Sequence, residues 1–170
     1  MTHETTENPK LTAAIAYTRL GWQVLPLHTI RGDRHHRHCS CGKIKCESAG
    51  KHPNGDLAPH GVADATADEA TIRRWWTAEP DANIGIATGK QSGIFVADTD
   101  MRNGGDASWT LLLQAHGPPP QTPHVLTGGG GDHYYYQYPT SGSVANCKLT
   151  QGIDIVNDAL TLTLSPWERE

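Results

Sequence analysis

The chain has 170 residues, of which 36% are hydrophobic, and a formal net charge of −4; its mean hydropathy is −0.52. That length suits one domain, or one with a small appendage, and the acidic balance argues against tight, non-specific nucleic-acid binding. No apolar run reaches the length of a membrane span, and polar Met1–Lys10 has no signal-peptide core, so the expectation is a cytoplasmic protein with no membrane partner.

Residues 1–10 are expected to form a flexible N-terminus. Leu11, Ala14, Ile15 and Thr18 share one helical stripe, and Gly21 supplies a stop, which predicts a helix over Leu11–Leu20. Trp22–Leu27 reads as a short strand. Residues 29–60 show little periodicity and predict a long loop, which in a compact domain is functional or stapled by metal. Thr66, with Glu69 three residues on, predicts a capping box opening a second helix that stops before Pro80. Asn83–Ala87 and Ile94–Ala97 follow as strands. Gly105 or Asp106 opens a third helix, stopped by Gly117 and the prolines at 118–120. Pro123–Leu126, His133–Tyr138 and Gly152–Val156 read as further strands, and the pattern fails beyond Asp158. Helices and strands alternate early and strands dominate late. The expected fold is therefore α+β (or α/β), with a mixed β-sheet flanked by helices.

Four constellations carry chemistry. Asp98 and Asp100 follow the apolar run Ile94-Phe95-Val96 and precede an Asn-Gly-Gly turn. Two residues apart on a strand, they would share a face, and converging carboxylates suit a hard cation such as Mg²⁺ or Mn²⁺; the plainer alternative is that they end a strand and cap a turn. Gly128, Gly129, Gly130 and Gly131 precede His133 and could form an anion-binding nest for phosphate, or simply a flexible hairpin loop, since no helix follows as phosphate loops require. Asp154 lies between Ile153 and Ile155; a carboxylate there needs a partner, so it either completes the site of Asp98 and Asp100 or faces solvent on an edge strand.

The fourth constellation is Cys39, Cys41 and Cys46 with His52. Three thiols crowded into a short loop are unlike a disulfide framework. With the imidazole they make a tetrahedral Cys₃His set for structural Zn²⁺, so residues 39–52 are expected to be a zinc-stapled loop. His35, His36 or His38 could replace one ligand, and the alternative is a reduced loop without metal. Basic residues cluster here, between Arg31 and Lys51.

Together these residues resemble the bifunctional DNA primase/polymerase N-terminal domain, the prim-pol family of the archaeo-eukaryotic primase superfamily. The similarity runs from about Leu11 to Asp158 and includes Gly21–Leu27, Gly50–Pro53, His60–Thr66, Ile72–Trp76 and Pro80–Gly89 in family order. The resemblance implies a prim-pol catalytic core over 11–158. It also implies a three-part catalytic pattern, carried by Asp98 with Asp100, by His133, and by Asp154. The implied activity is template-directed nucleotidyl transfer in DNA replication, acting as primase and DNA polymerase on a single-stranded DNA template with nucleoside triphosphates. The carboxylates would hold Mg²⁺ or Mn²⁺, His133 and the glycine loop would bind triphosphate, and Lys51 and Arg102 are candidate cations by position. A replicative helicase domain or protein is a further partner the resemblance allows.

The chain departs from the family pattern at Asp132, where a basic residue is frequent. It departs again after Asp158: residues 159–170 do not match, and are expected to be an aberrant or truncated tail. A strand missing there would leave the edge beside Asp154 exposed and that ligand loosened. Two other readings therefore stand beside the polymerase: a two-metal nuclease or hydrolase, and a catalytically disabled fragment that still binds nucleotide or nucleic acid.

Overall fold

In the computed structural model, the described residues are 8–33, 35–127, 130–157 and 161–164. They fall into two compact units, one comprising 8–87 with 161–164 and the other the described part of 88–157.

The first unit opens with α1 (Pro9–Arg19). The helix starts earlier than its apolar stripe predicts because Asn8 caps it: the Asn8 carboxamide oxygen accepts from the Lys10 and Leu11 amides, and proline stands at the first turn. Lys10 is drawn in as well, donating through Nζ to the Asp81 carbonyl and, at 3.0 Å, to Asn83 Oδ1. Asn8, Pro9 and Lys10, expected in the flexible terminus, are thus the cap and first turn of the helix. β1 (Gln23–Leu27) pairs antiparallel with β4 (Asn83–Ala87), which pairs antiparallel on its other side with β10 (Thr161–Leu164). The backbone of 161–164, expected in an unmatched tail, is therefore an outer strand of this sheet. Between β1 and β4 lie a two-residue hairpin, β2 (Ile30–Arg31) and β3 (His38–Cys39), and then α2 (Glu69–Ala78). The cap of α2 is Asp68, whose carboxylate accepts from the Thr71 amide at 2.8 Å. Thr66, the expected cap, instead exchanges backbone hydrogen bonds with Val24. Tertiary pairing to β1 thus outcompetes the local capping box.

Trp75 and Trp76 are both core residues of this unit. Their indole N–H groups bond the Leu57 and Ala82 carbonyls, at 3.0 and 3.1 Å, so neither serves as a base-stacking platform. Trp76 is 1% exposed. Trp76→Ala is expected to cost about 3–5 kcal/mol, visible as a lowered urea midpoint.

The second unit is a five-stranded sheet in the order β6 (His124–Leu126), β7 (Asp132–Gln137), β5 (Ile94–Thr99), β9 (Ile153–Val156), β8 (Cys147–Thr150). Every pairing in both larger sheets is antiparallel, which corrects the expected mixed sheet; α+β is the class. β8 has no sequence signal of its own, being polar and mostly exposed. It nonetheless covers the flank of β9, so β9 is an inner strand with neighbours on both sides. The exposed edge expected beside Asp154 does not arise there.

On one face of this sheet α3 (Gly105–His116) packs, Trp109 stacking on Tyr134 with centroids 4.6 Å apart. Tyr134 stands opposite Ala97. By the two-residue alternation of strands, Val96 and Asp98 point to the other face.

Candidate active site and metal centre

β5 is the central strand, and its register fixes the site. Asp98 pairs with His133 on β7 and with Asp154 on β9, while Asp154 pairs with Lys148 on β8. Directly opposite residues in an antiparallel sheet project to the same side. His133, Asp98, Asp154 and Lys148 therefore form one row across four strands, on the face away from α3. Three of these residues were singled out from sequence; Lys148 was missed because its strand was.

The row has an electrostatic logic. Like charges directly opposite each other destabilise a sheet, and Asp98 and Asp154 are so placed. His133 relieves one end: its Nε2 lies 3.3 Å from Asp98 Oδ1, with the imidazole side chain 11% exposed. His133 Nδ1 is buried with no hydrogen-bond partner among the described residues, a costly position for a polar atom. Lys148 brings a cation to the other end.

Asp100 is held differently. The strand ends at Thr99, and Asp100 caps a one-turn helix (Met101–Asn103): Oδ1 accepts from the Arg102 amide at 3.0 Å and Oδ2 from Asn103 Nδ2 at 2.6 Å. The D-x-D pair is therefore split into a strand residue and a cap. Arg102 is exposed beside it. Two close backbone approaches set the Asp100 backbone: its N–H donates to the Gly152 carbonyl at 2.7 Å, and its carbonyl accepts from Gly105 at 2.9 Å. A Cβ on either Gly105 or Gly152 would collide with these same backbone atoms, and Gly152 has φ +68°.

The carboxylates supply hard oxygen donors of the kind Mg²⁺ and Mn²⁺ prefer. Among the described residues they do not form a group whose ligand atoms all lie within 4.8 Å of one another; the cysteine–histidine cluster does. Two ions about 3.5–4 Å apart can be shared by carboxylates that do not all meet at one point.

Two further expectations change. The Gly130 amide is closed onto the Thr127 carbonyl at 2.8 Å and the Gly131 amide onto Thr127 Oγ1 at 3.1 Å, so these two N–H groups are spent within the turn and do not form a phosphate nest. Gly128 and Gly129 lie outside the described residues. Asp132, the departure beside His133, points to the α3 face by strand alternation: its carboxylate stands 3.5 Å from His124 Nε2. It therefore adds no negative charge to the row. Lys51 belongs to the first unit and is exposed.

In the first unit the sequence expectation of a Cys₃His cluster is met: one ligand atom from each of Cys39, Cys41, Cys46 and His52 lies within 4.8 Å of all the others. Nε2 of His52 is 3.5 Å from the Cys39 sulfur and 3.4 Å from that of Cys46. A tetrahedral zinc with ordinary bond lengths sets that edge at about 3.6 Å, so the set fits Zn²⁺. His35, His36 and His38 are not part of it; His36 pairs with Asp33, and His38 Nδ1 lies 3.2 Å from the His36 carbonyl. Ser40 and His28 back the cluster: His28 Nδ1 bonds Ser40 Oγ at 2.8 Å, and its ring packs against His52 with centroids 4.5 Å apart.

Burial alone would raise the Cys39 thiol. Backbone N–H bonds from Cys41 and Gly50, and side-chain bonds from Cys41 and His52, outweigh it and lower Cys39 to about 6. Desolvation and the bonds to Cys41 and Cys39 raise Cys46. A depressed thiol stabilises the fold above its unfolded value and loses that contribution as pH falls through its folded one, and zinc needs the thiolate. Zinc binding is expected to weaken as pH falls, because protons compete with the metal for the thiolates, measured with a chromophoric chelator.

The family model described as "Bifunctional DNA primase/polymerase, N-terminal" matches residues 14–168, and the chain belongs to this Prim-Pol family of primase/polymerase-type nucleotidyltransferases. The match continues past residue 158, where the sequence resemblance was expected to end. No curated protein is found to match the chain. Membership implies binding of nucleotides and DNA. No helix among the described residues is long and apolar enough to cross a membrane.

Proposed function

We propose that this chain is a template-directed nucleotidyltransferase that joins nucleoside triphosphates to a primer or initiating nucleotide on single-stranded DNA, as a primase and DNA polymerase. The observation that carries the reading is the register that places Asp98 between His133 and Asp154. A nucleotidyl transfer needs anionic ligands for divalent ions beside a group that can meet a triphosphate, and the row offers both on one face.

Asp98, Asp100 and Asp154 would hold Mg²⁺ or Mn²⁺; when bound, such ions lower the pKa of the attacking hydroxyl and stabilise the departing pyrophosphate. His133 stands 3.3 Å from Asp98, and its imidazole would turn to the triphosphate once that carboxylate is otherwise engaged. Lys148 and Arg102 place cations at the two flanks of the carboxylates and offset the charge of the incoming phosphates.

The test is incorporation of labelled nucleotides on primed and unprimed single-stranded templates with Mg²⁺ or Mn²⁺. Extension that requires nucleoside triphosphate and metal supports the reading. Metal-dependent shortening of the DNA without triphosphate would identify a nuclease instead, and nucleotide binding without turnover a disabled domain.

A further inference from the structure

We infer that the tip of the cysteine loop, Lys43-Ile44-Lys45, is a contact surface for single-stranded DNA, with Ile44 placed against unstacked bases and the two lysines against flanking phosphates. The inference rests on the DNA-templated reading above and adds where the strand is held. Three observations carry it. Ile44 is 101% exposed, a β-branched apolar side chain wholly in water. A lone exposed apolar residue is ordinary, but this one sits at a bend with an exposed lysine on each side. The bend lies between Cys41 and Cys46, whose sulfurs belong to the same compact ligand cluster. Its two ends are therefore pinned a few residues from the tip, and little ordering entropy is left to be lost on binding.

The charge distribution selects the partner. Residues 31–51 hold six of the 14 Lys and Arg but two of the 18 Asp and Glu, a local net charge of +4 in a chain of −4. The remaining residues then carry −8, so a polyanion is steered to this loop in preference to the rest of the surface. Ile30, 41% exposed, packs beside Gly50 at the base of the same loop. Apolar side chains set between base steps and flanked by cations are a recurrent way of gripping nucleic acid.

The test is fluorescence anisotropy of a labelled single-stranded oligonucleotide against the zinc-loaded full chain, without nucleotide, over a range of salt. Lys43→Ala/Lys45→Ala is expected to weaken binding about tenfold or more and to lower the salt slope by about 1.4, two phosphates at about 0.7 each. Ile44→Ser is expected to weaken binding about fivefold, the loss of a partly buried side chain, with the salt slope unchanged. Zinc content reports that the loop is intact; Ile44, fully exposed, has no packing to lose. Unchanged affinity in both variants overturns the inference, including the case where the tip binds a protein. If the wild type incorporates nucleotide while the tip variants bind DNA normally, the tip assignment alone falls. If the wild type is inert but the tip variants lose DNA, the polymerase reading falls and the tip stands.

Discussion

Asp98→Asn is expected to lower nucleotide incorporation by roughly 10³-fold or more and to leave the fold intact. The substitution keeps the shape of the side chain and removes one negative charge from the centre of the row. Asp98 pairs with Asp154 on one side and lies 3.3 Å from His133 on the other. Without a cation the two carboxylates oppose each other in register, so relieving that repulsion offsets the lost histidine pair, and the net change in stability in metal-free buffer is expected to stay within about 1 kcal/mol. With Mn²⁺ the two proteins should diverge. The wild type gains thermal stability because metal binds the folded state alone, whereas Asp98→Asn gains less. A variant equal to wild type in turnover would remove Asp98 from the reaction; one that loses turnover together with its secondary structure would say nothing of chemistry, and Asp154→Asn, at an exposed position, then carries the same test.

The parts of this site that were legible in the sequence are those whose neighbours have strong local signals. Ile94-Phe95-Val96 announces β5, and Ile153 and Ile155 announce β9, so Asp98 after the first run and Asp154 within the second could be assigned to strands. What joins them is register, a long-range property that no local pattern states. The same limit hid Lys148. Its strand, Cys147–Thr150, is polar, and it is a strand because β9 offers it a hydrogen-bonding edge. Likewise 161–164, in the tail expected to fall outside the pattern, pairs with β4. Asp100 shows the reverse case. Its spacing from Asp98 predicts a shared face, but the turn chemistry of Asn103-Gly104-Gly105 ends the strand a residue sooner and makes Asp100 a cap. The antiparallel sheet, expected to be mixed, follows from connections that return to neighbouring strands in the opposite sense.

The cysteine loop was legible for a different reason: ligand chemistry depends on residue type and crowding more than on secondary structure. Its stability can therefore be predicted in order as well as in size. Removing the metal with a chelator, or replacing a ligand, is expected to destabilise the first unit by about 4 kcal/mol or more, the range associated with loss of a structural metal. Among the described residues, the regular structure between β1 and α2 is the short strands β2 and β3 and one turn of helix at Gly61–Asp64, tied to β1 by single backbone bonds such as His28 to His52 and Asn54 to Pro26. Limited proteolysis should then cut within residues 29–60 in the stripped protein and spare the zinc-loaded one. Cys39→Ser is expected to be worse than Cys41→Ser. Cys39 is 2% exposed, and its sulfur also accepts the Gly50 amide at 3.5 Å. Gly50 in turn anchors Asn83 on β4 through its carbonyl. A fault at Cys39 therefore reaches the central strand of the first sheet, whereas a fault at partly exposed Cys41 stays in the loop. Equal losses for the two variants, or a stripped protein as resistant to protease as the loaded one, would show that the loop is held by its backbone hydrogen bonds and that zinc adds nothing to its order.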